Sequence, residues 1–349
     1  MPATPTVGDA RAVRLADHTT VRVGGPAASF ALCDTEQELI ASVRAADERD
    51  EPVLVLGGGS NVVVSDDGFP GAVARVAHTG ISLRRDGDRV VMRVAAGERW
   101  DDVVVAALAE GLAGIECLSG IPGLAGATPI QNVGAYGAEI SDVVSGVRAF
   151  DRLERATVLL DPSSCRFGYR TSALKGNARY LVLGVEISLA RSKQSAPVRY
   201  AELAAALDVQ LNSRAAAGDV RRAVLGLRGR KGMLVDPDDP DSVSVGSFFT
   251  NPVLPASAVP AGAPSWPIAS GPDGVVKVPA AWLIEQAGFH RGFGEGHVGL
   301  SSKHTLAIVN RGGATSSELV AFARAIRDGV QAKFGIRLEP EPVLVGLTL

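Results

Sequence analysis

PVLVLGGGSNVVVSDDG, residues 52–68, places three consecutive glycines between two apolar, β-branched runs. A Rossmann dinucleotide turn would need a further glycine opening a helix, but position 62 is Val, and Val62–Val64 favours a strand. The stretch therefore predicts strand, loop, strand, in the manner of a hairpin. Its glycines could form an anion-binding nest of backbone N–H groups or only a tight turn, and this stretch alone leaves both open.

The composition is that of an ordinary globular protein, with 349 residues of which 46% are hydrophobic and 21% charged. This length predicts two or three domains with more than one core. A formal net charge of −3 gives no electrostatic basis for binding nucleic acid or a membrane surface. The expected partners are therefore small molecules.

The cysteines at 33, 117 and 165 are scattered, without a C-x-x-C pair or neighbouring histidines. Neither a disulfide framework nor a metal site is expected, which fits a reducing compartment. The first twenty residues lack an apolar signal core, and no run reaches the roughly 18 apolar residues of a membrane span. We expect a cytoplasmic protein.

Patterning predicts the organisation of the first domain. Residues 34–50 form a helix with a capping box at Thr35 and Glu38, and a second helix near 100–111 should end at Gly111. Strands are expected at 143–160 and 178–190. An N-terminal segment, 1–19, and one α+β domain, 20–190, account for these elements.

A second, smaller α+β domain is predicted from about 200 to 349. Residues 200–207 and 219–231 look helical, and the proline-rich stretch 251–279 looks like surface loop. A capping box at Thr315 and Glu318 starts a helix that runs to about Phe334. The last stretch, GIRLEPEPVLVGLTL, is predicted to be a strand.

Residues 111–142, GLAGIECLSGIPGLAGATPIQNVGAYGAEISD, contain a second glycine cluster. Each glycine costs roughly 0.5–1 kcal/mol in a regular element, so close backbone approach to a ligand is the favoured reason for so many. Interleaved Ile, Leu and Val argue against a plain linker. Two glycine-rich loops suit a long ligand with a diphosphate and a flat ring system, such as FAD.

The ordered motifs GGGSNVVVSD, SGIPGLAGATPIQNVGAYG, FGYRTS, VGSFFTNP, LIEQAG, KHTLAIVN and LEPE closely resemble the UDP-N-acetylenolpyruvoylglucosamine reductase (MurB) family, from Thr20 to Gly346. The resemblance implies a vanillyl-alcohol-oxidase (PCMH) type FAD-binding domain followed by the substrate-binding domain. It also implies non-covalent FAD, NADPH as hydride donor, and reduction of UDP-N-acetylglucosamine enolpyruvate to a D-lactyl ether. A monomer is expected.

Three residues match the family's catalytic positions. Arg170, in FGYRTS, would stabilise the enolate-like intermediate, although a lone arginine is by default a surface ion pair. Ser247, in VGSFFTNP, would donate the proton, although most serines serve turns or caps. Glu341, in LEPE, would polarise the intermediate, although it could be an edge-strand carboxylate. Pro342-Val343 stands where many relatives carry Val-Arg, which removes that arginine's role here.

The resemblance also implies binding residues. Those expected to bind FAD are Gly57, Gly58, Gly59, Ser60, Asn61, Ser119, Gly120, Ile121, Pro122, Gly123, Gly126, Ala127, Gln131, Asn132, Gly134, Tyr136, Gly137 and Val185. Those expected to bind the substrate are Tyr200, Lys231, Asn251 and His304, for which local packing is the alternative at His304.

Two other functions remain open at this point. Another FAD oxidoreductase of the same superfamily, such as a sugar or lactone oxidase, often attaches its flavin through a histidine near the glycine loop, and this loop has none. A nucleotide-binding regulator without turnover would be expected to lack the polar trio at 170, 247 and 341, which is present.

Overall fold

A computed structural model describes residues 13–268 and 273–349, and these residues form two compact units. The first unit comprises Ser29–Gly58 and Gly71–Arg230, and the second comprises 13–28, Gly59–Pro70 and Lys231–Leu349. The sequence predicts two consecutive domains with a boundary near 200. In the structure the units are interleaved, and residues 200–230 lie with the first.

The helices are α1 (Glu36–Glu48), α2 (Trp100–Ala109), α3 (Ala201–Leu207), α4 (Ala217–Arg230), α5 (Ala280–Gln286) and α6 (Ser316–Phe334). All the helices except α5 lie where the sequence predicts them, and α5 was not predicted. Both predicted capping boxes are present, at the starts of α1 and α6. Gly111 follows α2 with φ +66°, the left-handed conformation typical of a helix stop.

The strands are short and numerous. Along the chain they are β1 (Ala27–Cys33), β2 (Val53–Leu56), β3 (Val62–Val64), β4 (Phe69–Val76), β5 (Ile81–Asp86), β6 (Arg89–Ala95), β7 (Leu112–Ala113), β8 (Gly134–Ala135), β9 (Ala138–Glu139), β10 (Val144–Asp151), β11 (Ala156–Leu160), β12 (Tyr180–Arg191), β13 (Ser244–Ser247), β14 (Val253–Pro255), β15 (Trp266–Pro267), β16 (Val275–Lys277), β17 (Val298–Leu300), β18 (Ala307–Asn310) and β19 (Val343–Val345).

An antiparallel sheet of order β11-β10-β12-β6-β5 forms the centre of the first unit, with β7 also paired to β12. Its buried face packs with α2 in one core cluster that includes Met92, Trp100, Val103 and Ile187. A second sheet has the order β1-β4-β2, in which β2 and β4 run parallel. The α+β class predicted from the sequence is confirmed.

The glycine run 57–59 connects two sheets rather than the strands of a hairpin. β2 pairs with β4, whereas β3 pairs in parallel with β19, so the hairpin expectation was wrong. Both partner strands lie outside residues 52–68. The partner of β3, Val343–Val345, is about 280 positions away in the sequence. Gly59 has φ +66°, and a Cβ there would lie 1.9 Å from the carbonyl oxygen of His18.

The second unit is built around the sheet β13-β18-β17 and helices α5 and α6. The stretch 251–279 is more ordered than the predicted surface loop, because β14, β16 and β15 form a small antiparallel sheet. Proline lacks a backbone N–H, and the strands that contain Pro255 and Pro267 occupy its two edges. Residues 269–272 of this stretch lie outside the described residues.

The expected final strand is shorter than its sequence suggests, since only Val343–Val345 pairs as a strand. Pro340 and Pro342, just before it, have no N–H to donate to a ladder.

The cysteines are buried thiols. Burial raises the pKa of Cys33 and Cys165 to about 11 and that of Cys117 to about 12, so all three stay protonated at neutral pH. Across residues 13–268 and 273–349, no helix combines the length and apolar character of a membrane span.

The N-terminus of α6 is joined to the segment that follows β3. The carboxylate of Asp66 accepts hydrogen bonds from the backbone N–H groups of Ser316 and Ser317, at 2.8 and 3.1 Å. Burial acts to raise the pKa of Asp66, but these hydrogen bonds outweigh it and hold the pKa below its ordinary value. The ionised carboxylate therefore caps α6 next to the positive end of its dipole.

Asp66→Ala is expected to lower the free energy of unfolding by about 1–2 kcal/mol at neutral pH, because α6 loses this cap. A carboxyl group with a depressed folded pKa stabilises above its unfolded pKa, and the stabilisation is lost as pH falls through the folded value. The difference from wild type should thus be complete near neutral pH and shrink below about pH 4. Urea titrations followed by circular dichroism at several pH values measure this difference.

The matched control is Asp67→Ala, because the neighbouring Asp67 is also exposed and its carboxylate makes no hydrogen bond within the described residues. Equal losses in the two variants would contradict the role assigned to Asp66.

Candidate active site

In the first unit the two glycine-rich loops pack backbone against backbone at Gly58 and Gly123. A Cβ placed on Gly58 would lie 2.7 Å from the Cα of Gly123, and one on Gly126 would lie 2.5 Å from the Cβ of Ala96. Real Cβ atoms do not come this close to another heavy atom, so only glycine fits at either position. The glycines predicted from the sequence thus meet a packing requirement.

Backbone donors without a protein acceptor lie on both loops. Within the described residues, the N–H groups of Gly58, Ile121 and Gly123 donate to no protein group, although all three residues are half-buried. Unpaired buried N–H groups are rare, and several near one another form a typical anion-binding nest. This arrangement fits the diphosphate of a dinucleotide cofactor and favours the nest over the plain turn.

Two of the side chains that the sequence predicts at the cofactor, those of Ser119 and Asn132, also brace the loop. The Ser119 hydroxyl donates to the carbonyl of Glu116 at 2.6 Å. Asn132 donates to the Glu139 carboxylate at 2.8 Å and to the carbonyl of Gly168 at 3.0 Å, and it is 1% exposed. These hydrogen bonds help to hold the shape of the loop.

Other predicted cofactor residues lie nearby or in the core. Gly134 and Gly137 lie in and beside the β8–β9 hairpin, and Ala127 ends a short 3₁₀ turn that also contains Gly126. Val185 lies in β12 with its side chain in the core of the first unit.

Arg170 is held at the edge of the second loop. Its Nη2 donates to the carbonyl of Gly134 at 2.7 Å, and its own carbonyl accepts from Lys175 Nζ at 3.0 Å. Arg170 has φ +52°, as Asn132 and Tyr136 in the same loop have +48° and +51°. Non-glycine residues in this conformation are uncommon, and they concentrate at functional sites.

Tyr136 and Tyr200 form an edge-to-face pair, with ring centroids 5.5 Å apart and planes at 89°. The structure thus brings together a predicted cofactor residue and a predicted substrate residue. Burial raises the pKa of Tyr136 to about 12 and also raises the pKa of Tyr200, so both phenols remain protonated donors at neutral pH.

In the second unit, Ser247 and Glu341 lie on adjacent segments. Ser247 ends β13 and is followed by Phe248. The backbone N–H of Glu341 donates to the carbonyl of Phe248 at 2.9 Å. Phe248 and Phe249 are buried and anchor this segment in the core. Among the described residues the hydroxyl of Ser247 has no hydrogen-bond partner, so it does not serve a turn or a cap.

Asn61 connects the end of the first glycine loop to Glu341. Its Nδ2 donates to the carbonyl of Glu341 at 3.3 Å, and its own carbonyl accepts from the N–H of Val343 at 3.0 Å. The glycine motif and the LEPE motif, far apart in sequence, therefore meet through Asn61. The Pro342-Val343 pair stands in this connection, where it starts β19.

The remaining predicted residues lie in loops. Lys231 directly follows α4 and opens the second unit's last segment. Asn251 accepts from the N–H of Ala280 at 2.9 Å and so caps α5. The N–H of His304 donates to the hydroxyl of Ser301 at 3.2 Å, between β17 and β18. Pro122 and Gln131 belong to the second glycine loop and Ser60 to the first.

The predicted trio divides between the units: Arg170 lies in the first, Ser247 and Glu341 in the second. The sequence analysis missed two carboxylates that brace the second loop, Glu116 and Asp101, which accept from the N–H groups of Gly114 and Gly120 at 2.6 Å each. Asp101 lies outside both glycine-rich stretches, and Glu116 lies in the second one but before the motif that starts at Ser119.

Two family models match the chain. A model described as "FAD binding domain" matches residues 27–158, and one described as "UDP-N-acetylenolpyruvoylglucosamine reductase, C-terminal domain" matches residues 238–345. The first covers the whole glycine run 57–59 and the whole second glycine cluster, 111–142. The expected FAD-binding domain is thereby confirmed.

Full-length relatives agree with these matches. The UDP-N-acetylenolpyruvoylglucosamine reductases of Thermobifida fusca (strain YX) and Nocardia farcinica are each 51% identical, covering 99% and 97% of this chain and 100% and 90% of those proteins. The crystal structure of the enzyme (MurB) from Thermus caldophilus matches with a TM-score of 0.66 at 27% identity, over 95% of this chain and 97% of that one. The chain belongs to the UDP-N-acetylenolpyruvoylglucosamine reductase family.

Proposed function

We propose that this protein uses NADPH and non-covalent FAD to reduce UDP-N-acetylglucosamine enolpyruvate to UDP-N-acetylmuramate, a step of peptidoglycan precursor synthesis. The observation that carries the proposal is the 51% identity to the Thermobifida fusca reductase over 99% of the chain. The geometry agrees with it at the two glycine loops and at the Ser247–Glu341 pair.

FAD fits the residues of the first unit. The N–H groups of Gly58, Ile121 and Gly123 would hold its diphosphate. The two loops contain no histidine for covalent attachment. When bound, FAD supplies the hydride that the enolpyruvyl group receives.

Arg170 is proposed to stabilise the negative charge that develops beside the substrate carboxylate. A guanidinium can form two parallel hydrogen bonds to a carboxylate, and its charge persists at any physiological pH. The hydrogen bond to the carbonyl of Gly134 supports this role, because it fixes the orientation of the guanidinium before substrate binds.

Ser247 is proposed to donate the proton that completes the reduction. Hydride adds to the methylene carbon of the enolpyruvyl group, charge develops on the carbon that bears the carboxylate, and the Ser247 hydroxyl delivers a proton there. Its lack of a protein partner among the described residues supports the assignment, because no structural hydrogen bond must break. Glu341, on the adjacent segment, is proposed to polarise the intermediate.

The substrate's nucleotide and diphosphate are assigned to Lys231, Tyr200, Asn251 and His304 by their motifs. Lysine is a suitable ligand for a diphosphate as a compact point charge. We propose that the first unit binds FAD and that the second supplies most substrate contacts. The monomeric state and the cytoplasmic location stay predictions.

Purified protein with bound FAD is expected to oxidise NADPH stoichiometrically with UDP-N-acetylglucosamine enolpyruvate, giving a product two hydrogens heavier by mass spectrometry. Turnover with oxygen or simple sugars as acceptor should be much slower. If oxygen proves the best acceptor, the chain is an oxidase of the same superfamily and the proposal fails.

Gly58→Ala should abolish FAD retention, because its Cβ would lie 2.7 Å from the Cα of Gly123 and must separate the loops. Gly218→Ala is the control, since a Cβ there would meet no atom within 4 Å and Gly218 lies outside both glycine loops. Flavin content per protein, measured by absorbance after purification and after reconstitution, separates the two. Equal flavin content in both folded variants would place the cofactor elsewhere.

Ser247→Ala should leave reduction of the bound flavin by NADPH near the wild-type rate, because that half-reaction needs no proton for the substrate. Reoxidation by the enolpyruvyl substrate should slow by roughly 10²–10⁴-fold, the usual contribution of a positioned general acid. Stopped-flow absorbance measures each half-reaction. Ser244→Ala, in the same strand, is the control, because its hydroxyl accepts from the N–H of Gly246 and has a structural role. Wild-type reoxidation in Ser247→Ala would remove Ser247 as the donor.

A further inference from the structure

The N-terminus of α2 contacts the second glycine loop at three points. The backbone N–H of Trp100 donates to the carbonyl of Gly123 at 3.0 Å, and its indole Nε1 donates to the carbonyl of Leu118 at 3.0 Å. Between them, the N–H of Gly120 donates to Asp101 Oδ1 at 2.6 Å. The start of one helix therefore fixes residues 118–123, which carry the unpaired donors of Ile121 and Gly123.

Gly120 is held through both of its flanking peptide units, by its N–H on one side and its carbonyl on the other. Asp101 accepts its N–H, and Arg228 Nε donates to its carbonyl at 3.2 Å. Gly120 has φ +70°, a conformation that leaves the direction of the following N–H groups dependent on such restraints. The Ile121 N–H belongs to the same planar peptide unit as the Gly120 carbonyl, so the bond from Arg228 sets where that donor points, while Asp101 fixes the unit before it.

Asp101 is itself oriented by an arginine. Arg221 Nη1 and Nη2 donate to Asp101 Oδ1 and Oδ2 at 2.6 and 2.8 Å, and the Arg221 side chain is 18% exposed. This pair holds the pKa of Asp101 below its ordinary value, so the carboxylate is ionised at neutral pH. Bidentate pairs of this kind fix both partners' geometry, unlike ordinary surface ion pairs.

Arg221 and Arg228 both come from α4 and are seven residues apart. Two helical turns separate them, so they project from the same face. One reaches the Gly120 peptide through Asp101, and the other reaches its carbonyl directly. This face of α4 thus supports the two peptide units on either side of the Gly120 Cα.

We propose that Asp101 and Arg221 are positioning residues for FAD. The pair holds the Gly120 N–H, and with it the loop, so that the Ile121 and Gly123 N–H groups face an anionic diphosphate. The proposal rests on the proposed function only in taking FAD as the ligand of these loops. Asp101 does not bind the cofactor itself, because its charge would repel a diphosphate, and it acts through the loop.

The test is FAD affinity, measured by flavin fluorescence on apoprotein refilled with FAD, together with the melting temperature of the apoprotein. Asp101→Ala and Arg221→Ala should each bind FAD about 10- to 100-fold more weakly, the range expected when a hydrogen bond to a charged group is lost. Unchanged affinity in Asp101→Ala would overturn the proposal.

The chain offers a matched control for each variant in the next residue. Asp102 and Arg222 are more exposed and pair locally with Arg99 and Asp219. Asp102→Ala and Arg222→Ala should bind FAD within about twofold of wild type, since exposed pairs contribute little. A loss of affinity equal to that of Asp101→Ala would show a general charge effect and contradict the proposal.

A charge swap tests whether the ion pair positions the loop or only joins α2 to α4. In the double variant Asp101→Arg, Arg221→Asp the ion pair can re-form and restore the melting temperature of the apoprotein. An arginine at 101 has no acceptor for the Gly120 N–H, so FAD affinity should stay low. Recovered FAD affinity would show that the pair only joins α2 to α4 and would overturn the proposal. If wild-type protein binds no FAD, the proposed function has failed instead.

Discussion

The contact between the backbones of Gly58 and Gly123 is the constraint on which the first unit depends. At 2.7 Å from a would-be Cβ, it admits no side chain on Gly58. Gly123 also receives the first N–H of α2, so the helix, the second loop and the end of β2 meet at one place. The N–H groups that remain unpaired around it follow from this packing, and they are the feature most useful to an anionic ligand.

Local signals in the sequence predicted the elements that depend on local interactions. The capping boxes at Thr35 and Thr315 and the stop at Gly111 are each completed within a few residues, and each is present. The β2–β3 hairpin failed because both strands pair with distant partners, β4 and β19. The small sheet within 251–279 escaped notice because its edge prolines resemble those of a loop.

The site was predictable where glycines and motifs mark it. The glycine clusters indicated a dinucleotide, and VGSFFTNP and LEPE indicated Ser247 and Glu341, which the structure places on adjacent segments. Supporting contacts were not predictable. Asp101 and Arg221 meet across 120 positions, and neither residue differs in type from its exposed neighbour, so no pattern separates them. The interleaving of the units likewise depends on pairings that only the fold reveals.

The parallel pairing of β3 with β19 has a consequence for how the protein is made. Asn61 and Glu341 are separated by 280 positions, and at about 5–20 residues per second a ribosome needs on the order of tens of seconds to cover that distance. Throughout this interval the apolar strand Val62–Val64, buried in the finished protein, has an unpaired edge. The nascent chain therefore exposes this apolar segment until Val343–Val345 has been translated, which makes it a natural binding point for chaperones.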